Sequence, residues 1–174
     1  MPPELAWLLS PAQLAGYAAF GFGMACFAQT DDRRFKLLMA AECAAYILHF
    51  ALLGQATAVA STTVSLLRSL AALHLRTPLV GAGFVALSLA CGAWLATGWV
   101  SLLPIAASCI GTTALFFLLG LRMRLLMLLG TLLWLANNLL VGSVGGSALE
   151  ACLALSNLWT IRRLWAAGRR GGAG

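Results

Sequence analysis

Residues 33–54 read RRFKLLMAAECAAYILHFALLG. Arg33, Arg34 and Lys36 open this stretch and Gly54 closes it. Between them only Glu42 and His49 interrupt a run of apolar, aromatic and small residues. About 20 such residues cross the hydrocarbon of a bilayer as one helix. A flank of Lys and Arg marks the cytoplasmic end of such a helix. Working outward on the same criteria gives seven spans, at 11–29, 34–53, 56–75, 79–98, 101–120, 124–141 and 146–166. The breaks are Thr30–Arg34, Gly54-Gln55, Arg76-Thr77-Pro78, Thr97-Gly98-Trp99, Arg122-Met123-Arg124 and Gly142–Gly146. They are short, so consecutive helices are expected to be antiparallel neighbours.

Composition supports a membrane protein. Of 174 residues 61% are hydrophobic and 9% charged, with a mean hydropathy of +0.93; soluble domains carry about 25% charged residues. That excludes a soluble globular domain, a disordered chain and a nucleic-acid-binding module, despite the net charge of +6. The charge is a topology signal instead. Arg33, Arg34 and Lys36 fall in the first connection, Arg76 in the third, and Arg122 and Arg124 in the fifth. Arg162, Arg163, Arg169 and Arg170 fall at or beyond the end of the last helix, and Arg68 alone is left over, inside the third span and away from these basic ends. The expected topology is therefore N-terminus outside and C-terminus cytoplasmic, with 167–174 as a cytoplasmic tail. Met1-Pro2-Pro3-Glu4 lacks the basic flank of a signal peptide. Cys26, Cys43, Cys91, Cys109 and Cys152 each stand alone in an apolar run and are expected to be packing residues. No metal helix, phosphate loop or nucleophile triad is present, so neither an enzyme nor a cofactor is expected.

The two ends of the chain match each other at a shift of 88 residues. Arg34–Met39 overlies Arg122–Met127, Tyr46 overlies Trp134, Gly54 overlies Gly142 and Gly23 overlies Gly111. The expected fold class is all-α and polytopic: two three-helix repeats, 11–75 and 101–166, joined by a linker helix at 79–98. The inserted helix makes both repeats run the same way, one of the two common plans of membrane transporters.

Arg33–Lys36, His49–Gly54 and Arg68, followed by Trp134, Asn138, Gly142–Gly146, Glu150, Asn157 and Arg163, resemble the YgjV-type bacterial inner membrane proteins. The resemblance spans about residues 11–166 and implies residence in the inner membrane; it assigns no activity. Glu42 departs from the family pattern. The three-one-three plan is also similar to that of SWEET sugar transporters, PnuC vitamin-precursor transporters and the KDEL receptor, a likeness of topology alone.

Polar residues inside spans are costly and mark partners or cavities. Glu42 and Arg68 lie level across the hairpin that turns near Gln55. They form either a structural ion pair or a pair that parts to bind a solute or carry a proton, and Arg68 alone fits a clamp for carboxylate or phosphate. Glu42, Tyr46 and His49 share a helical face, where His49 is either a structural hydrogen bonder or a titrating group. Across the turn near Ser143, Glu150 lies level with Asn137 and Asn138, as helix-to-helix glue or as ligands for a polyol, amide or amino group. Arg68, His49, Asn138, Glu150 and Asn157, with Glu42 as partner of Arg68, are the expected substrate-binding residues. The expected function is a small transporter of a modest polar solute by alternating access. A receptor or partner-binding protein is the alternative. The expected partners are that solute and membrane lipid, and the sequence leaves the oligomeric state open.

Overall fold

The computed structural model describes residues 3–27, 32–72, 74–75 and 77–171. They form eight helices and, among the described residues, no strand. These are α1 (Pro3–Leu8), α2 (Pro11–Phe27), α3 (Asp32–Leu52), α4 (Ala56–Ala71), α5 (Pro78–Leu95), α6 (Leu102–Phe117), α7 (Gly120–Leu140) and α8 (Val144–Gly171). The long helices α2–α8 take up the seven apolar stretches in order. Among the described residues, α5 and α7 are long and apolar enough to cross a membrane by length and composition; Leu37–Leu52 and Leu102–Phe117 are shorter apolar helical segments.

Three boundaries differ from the sequence reading. The six-residue α1 precedes the first stretch. Pro3 at its start suits a helix N-terminus, and its length is below what periodicity can register. The basic residues read as connections begin helices instead: α3 starts at Asp32 and α7 at Gly120, so Arg34 and Arg122 lie in first turns and Arg124 at the start of the second turn of α7. The chain breaks before them, at extended Leu118 and Leu119 and at Gly120 with φ +59°. The expected tail at 167–174 is helical through Gly171, where α8 ends. Arg76 and the segment 28–31 lie outside the described residues.

The spacing of 88 recurs in the backbone. Asp32–Leu52 and Gly120–Leu140 begin and end at that interval. Each helix stops at a left-handed glycine, Gly54 at φ +70° and Gly142 at φ +73°. In the first turn Gln55 N–H donates to Phe50 O at 2.9 Å and Gly54 N–H to Ala51 O at 3.1 Å. In the second, Ser143 N–H donates to Asn138 O at 2.8 Å and Gly142 N–H to Leu139 O at 3.3 Å. Both are the Schellman cap, in which glycine takes a left-handed conformation that is costly for most other residues.

The helices close a ring. α2 packs on α3, α3 on α4, α4 on α6, α6 on α7, α7 on α8, and α8 back on α2. Helix α5 lies outside, against α4 and α6; Thr77 caps its start ahead of Pro78. Large apolar side chains point away from the ring: Trp94 is 88% exposed and Leu79 and Leu119 are each 83% exposed. Polar ones are buried within, among them Gln13, His49, Thr112, Asn137 and Asn138. This is the reverse of a soluble protein, whose charged and amide side chains face water.

Candidate functional site

A cavity of about 130 Å³ lies inside the ring. Helix α3 supplies Glu42, Tyr46 and Phe50 to its wall, with Cys43 beside them, and α4 supplies Thr62 and Ser65. Helix α7 supplies Trp134 and Asn138, and α8 supplies Glu150. The aromatic rings form a continuous stack. Tyr46 and Phe50 lie parallel with centroids 5.5 Å apart, and Phe50 and Trp134 follow at 5.8 Å. Tyr46 Oη and Asn138 Oδ1 are buried with no hydrogen-bond partner within the protein. Three pairs of wall residues stand 88 apart: Tyr46 and Trp134, Phe50 and Asn138, Thr62 and Glu150. The small residues that admit this packing include Gly23, where a Cβ would meet Leu149 Cδ2 at 2.7 Å and stand 3.4 Å from the Glu42 carboxyl carbon.

Of the six expected site residues, the structure brings Glu42, Asn138 and Glu150 to the cavity. The other three are turned elsewhere. His49 is fully buried, its Nδ1 2.6 Å from Ala12 O and its Nε2 2.7 Å from Ser143 Oγ. A carbonyl only accepts, so Nδ1 carries the proton in the first bond, and the ring ties α2, α3 and the α7–α8 turn together. Arg68 Nη1 donates to Thr112 Oγ1 at 3.0 Å and to Ser108 O at 3.2 Å, both on α6. Its guanidinium occupies the space that Gly111 leaves open: a Cβ there would stand 3.1 Å from Nη1. Among the described residues no ion pair joins Glu42 to Arg68. The hairpin puts the two level, as expected, but the rotation of α4 about its axis aims Arg68 at α6. Asn157 Nδ2 donates to Arg124 O at 3.0 Å, which joins α8 to the start of α7.

Gln13 is a further polar residue that a ranking by ionisable groups passes over. Its side-chain amide donates to Gly142 O and accepts from Val144 N–H at 3.1 Å. It thereby satisfies backbone groups that the α7–α8 turn leaves free. An uncharged amide in an otherwise apolar stretch is the signal for it. Tyr46 and Trp134 were legible as repeat partners but not as cavity wall. Asn137 and Asn138 both turn inward, as adjacent amides in lipid should. Asn138 reaches the cavity; Asn137 does not, and neither of its side-chain polar atoms has a partner within the protein.

A family model described as a bacterial inner membrane protein, Imp-YgjV, matches residues 10–168. The inner membrane protein YgjV of Escherichia coli strain K12 is 36% identical over 165 residues, which cover 95% of this chain and 88% of that protein. No solved structure matches this chain. The expected likeness to SWEET transporters, PnuC transporters and the KDEL receptor finds no support in these comparisons. The resemblance read from the polar residues of the spans is borne out, and the inner membrane is where proteins of this kind reside. The chain belongs to the YgjV family of bacterial inner membrane proteins.

Proposed function

We propose that this protein is a small transporter or facilitator that moves a modest polar solute by alternating access. Helices α2–α8 are its seven spans, with the N-terminus outside and the C-terminus cytoplasmic. Helices α2–α4 and α6–α8 are parallel halves, and α5 is the linker that restores their common direction. The observation that carries this reading is the cavity wall: three of its residue pairs stand 88 apart, as expected of a site on a pseudo-twofold axis between repeats. The matched Schellman turns and the closed ring support it too. So do the basic residues, which gather at the starts of α3 and α7 and along the end of α8.

In this reading the halves meet at two seams. The α2–α8 seam is held by Gln13 and His49 on the α7–α8 turn, and the α4–α6 seam by Arg68 on Ser108 and Thr112. The outer end opens when the first set of bonds parts, so Gly142–Gly146 and its two anchors form the outer gate.

Flux of small polar solutes into liposomes containing the purified protein tests this. Saturable uptake that is lost in Asn138→Leu, with that variant still folded, is the expected result. Absence of flux for every solute tried, from folded protein, overturns it. One observation favours a second role at the surface. Arg162 and Arg163 are exposed near the end of α8, and the Arg163 guanidinium sits 4.9 Å above the Trp159 ring. A basic, aromatic helix end suits anionic lipid headgroups, worth about 1 kcal/mol per residue. Binding of ligand or lipid without flux would turn the assignment toward a receptor.

A further inference from the structure

We propose that the central cavity is built for a small organic cation, a protonated amine or a quaternary ammonium; this rests on reading the cavity as the solute site. Two carboxylates line it, Glu42 from the first half and Glu150 from the second. Among the described residues no Lys, Arg or His shares the wall with them. Two basic side chains of the helices that line the cavity are committed elsewhere, Arg68 of α4 to Ser108 and Thr112 and His49 of α3 to Ala12 and Ser143. Glu42 and Glu150 are half-buried, and a carboxyl group drawn out of water either takes a positive partner or holds a proton, because the bare ion costs several kcal/mol to desolvate alone. A neutral polyol offers no such partner, and an anion meets like charge.

The rest of the wall suits the same occupant. Tyr46, Phe50 and Trp134 put three aromatic side chains on the wall, and the rings at the ends of that stack each keep one face free of it; an aromatic face attracts a cation most strongly where water is excluded. Tyr46 is 7% exposed and Asn138 is 1% exposed, and the Tyr46 hydroxyl and Asn138 Oδ1 find no partner within the protein. Both oxygens accept hydrogen bonds, and a protonated amine supplies donors only; a quaternary ammonium would be held by charge and the aromatic wall alone. The volume of about 130 Å³ is close to the ~150 Å³ of a cavity that holds benzene, so the occupant has about six non-hydrogen atoms. Placing one carboxylate on each half also gives the cation a reason to draw the halves together.

Isothermal titration of the full chain in detergent tests this with four probes of matched size: butylamine, tetramethylammonium, butanol and butyrate. The two cations should bind, and butanol and butyrate should bind at least tenfold more weakly. Glu42→Gln and Glu150→Gln should each weaken butylamine at least tenfold, and Trp134→Leu should weaken tetramethylammonium. Equal binding of butanol and butylamine, or undiminished butylamine binding in both Gln variants, overturns the proposal. Should the Gln variants fail to fold, alkylation of Cys43 in the unaltered protein decides, read by peptide mass spectrometry. Butylamine should slow it and butanol should not; no slowing overturns the proposal. Flux then separates the two claims. Amines that bind but do not cross liposomes leave the cation site standing and remove the transport reading. A neutral or anionic solute that crosses, blocked by Asn138→Leu, while amines neither bind nor compete, does the reverse.

Discussion

His49 and Ser143, 94 residues apart, meet at 2.7 Å through Nε2 and Oγ. The same serine oxygen accepts the Gly146 N–H at 3.2 Å, so one hydroxyl joins α3 to the first turn of α8. Gly16 has no side chain to obstruct the ring; a Cβ there would stand 2.9 Å from His49 Cε1. The imidazole is thus a brace between α2, α3 and the turn, held on both nitrogens.

The brace should be measurable. His49→Leu leaves Ala12 O and the Ser143 hydroxyl without their partner. Interhelical hydrogen bonds in membranes average about 0.6 kcal/mol each, so the loss is expected to be about 1–2 kcal/mol, seen as a lower unfolding midpoint in detergent. Ser143→Ala removes one of the two bonds to the ring and also the bond from Gly146 N–H, so it should cost about as much. A wild-type midpoint in His49→Leu would show that the contacts contribute nothing.

The α2–α8 seam depends on backbone proximity. A Cβ at Gly145 would collide with the Gly16 carbonyl, which is main chain and cannot swing aside, whereas nothing lies within 4 Å of a Cβ at Gly21. Gly145→Ala should therefore cost about 1–3 kcal/mol, the usual penalty of overpacking. Gly21→Ala should be neutral or stabilising by up to about 1 kcal/mol, through helix propensity. Paired unfolding curves check this, and equal midpoints for the two variants would contradict the close approach.

Much of this fold was legible because turns and apolar runs are local. Gly54 and Gly142, each behind an apolar run, placed the caps of α3 and α7 and the interval between them. What stayed hidden was rotation about helix axes. In a soluble protein the apolar stripe names the inward face; α3 has no one-sided apolar stripe, so its pattern is silent, and the polar face of α4 names a direction but not a partner. Hairpin register put Glu42 level with Arg68 but left open which neighbour each would face. Arg68 went to α6, into the space beside Gly111, and His49 went to a carbonyl on α2. Glu150 and Asn138 reached the cavity as expected, because a tight turn fixes their mutual register within one short hairpin. The basic clusters were misread as connections since the signals for cytoplasmic flank and for helix start fall on the same residues.

The two Schellman turns make a matched pair of experiments. Gly54 and Gly142 both sit at positive φ, at +70° and +73°. Alanine in that region costs about 1–2 kcal/mol, so Gly54→Ala should lower stability by that amount. Gly142→Ala should cost more, since its Cβ would stand 3.2 Å from the Trp7 ring on α1. Deleting α1 should bring the two costs together. Unequal costs that persist without α1 would mean that the turns differ in ways their hydrogen bonds do not register.

The α4–α6 seam offers the sharpest test of where Arg68 acts. Were Arg68 paired with Glu42, changes on α6 would leave its contribution untouched. In the structure Nη1 reaches Thr112 Oγ1 at 3.0 Å, and Thr112 is fully buried and itself donates to Ser108 O at 2.8 Å. Thr112→Val keeps the shape and removes the acceptor; Arg68→Met keeps the apolar stem and removes the donor. Each alone should destabilise, because it leaves a buried polar partner unmet. Together they should cost less than the sum, with a coupling of about 0.5–2 kcal/mol. The same cycle between Arg68→Met and Glu42→Gln should give a coupling near zero. Additivity in the first cycle and coupling in the second would restore the ion pair within the α3–α4 hairpin and move Arg68 back toward the cavity.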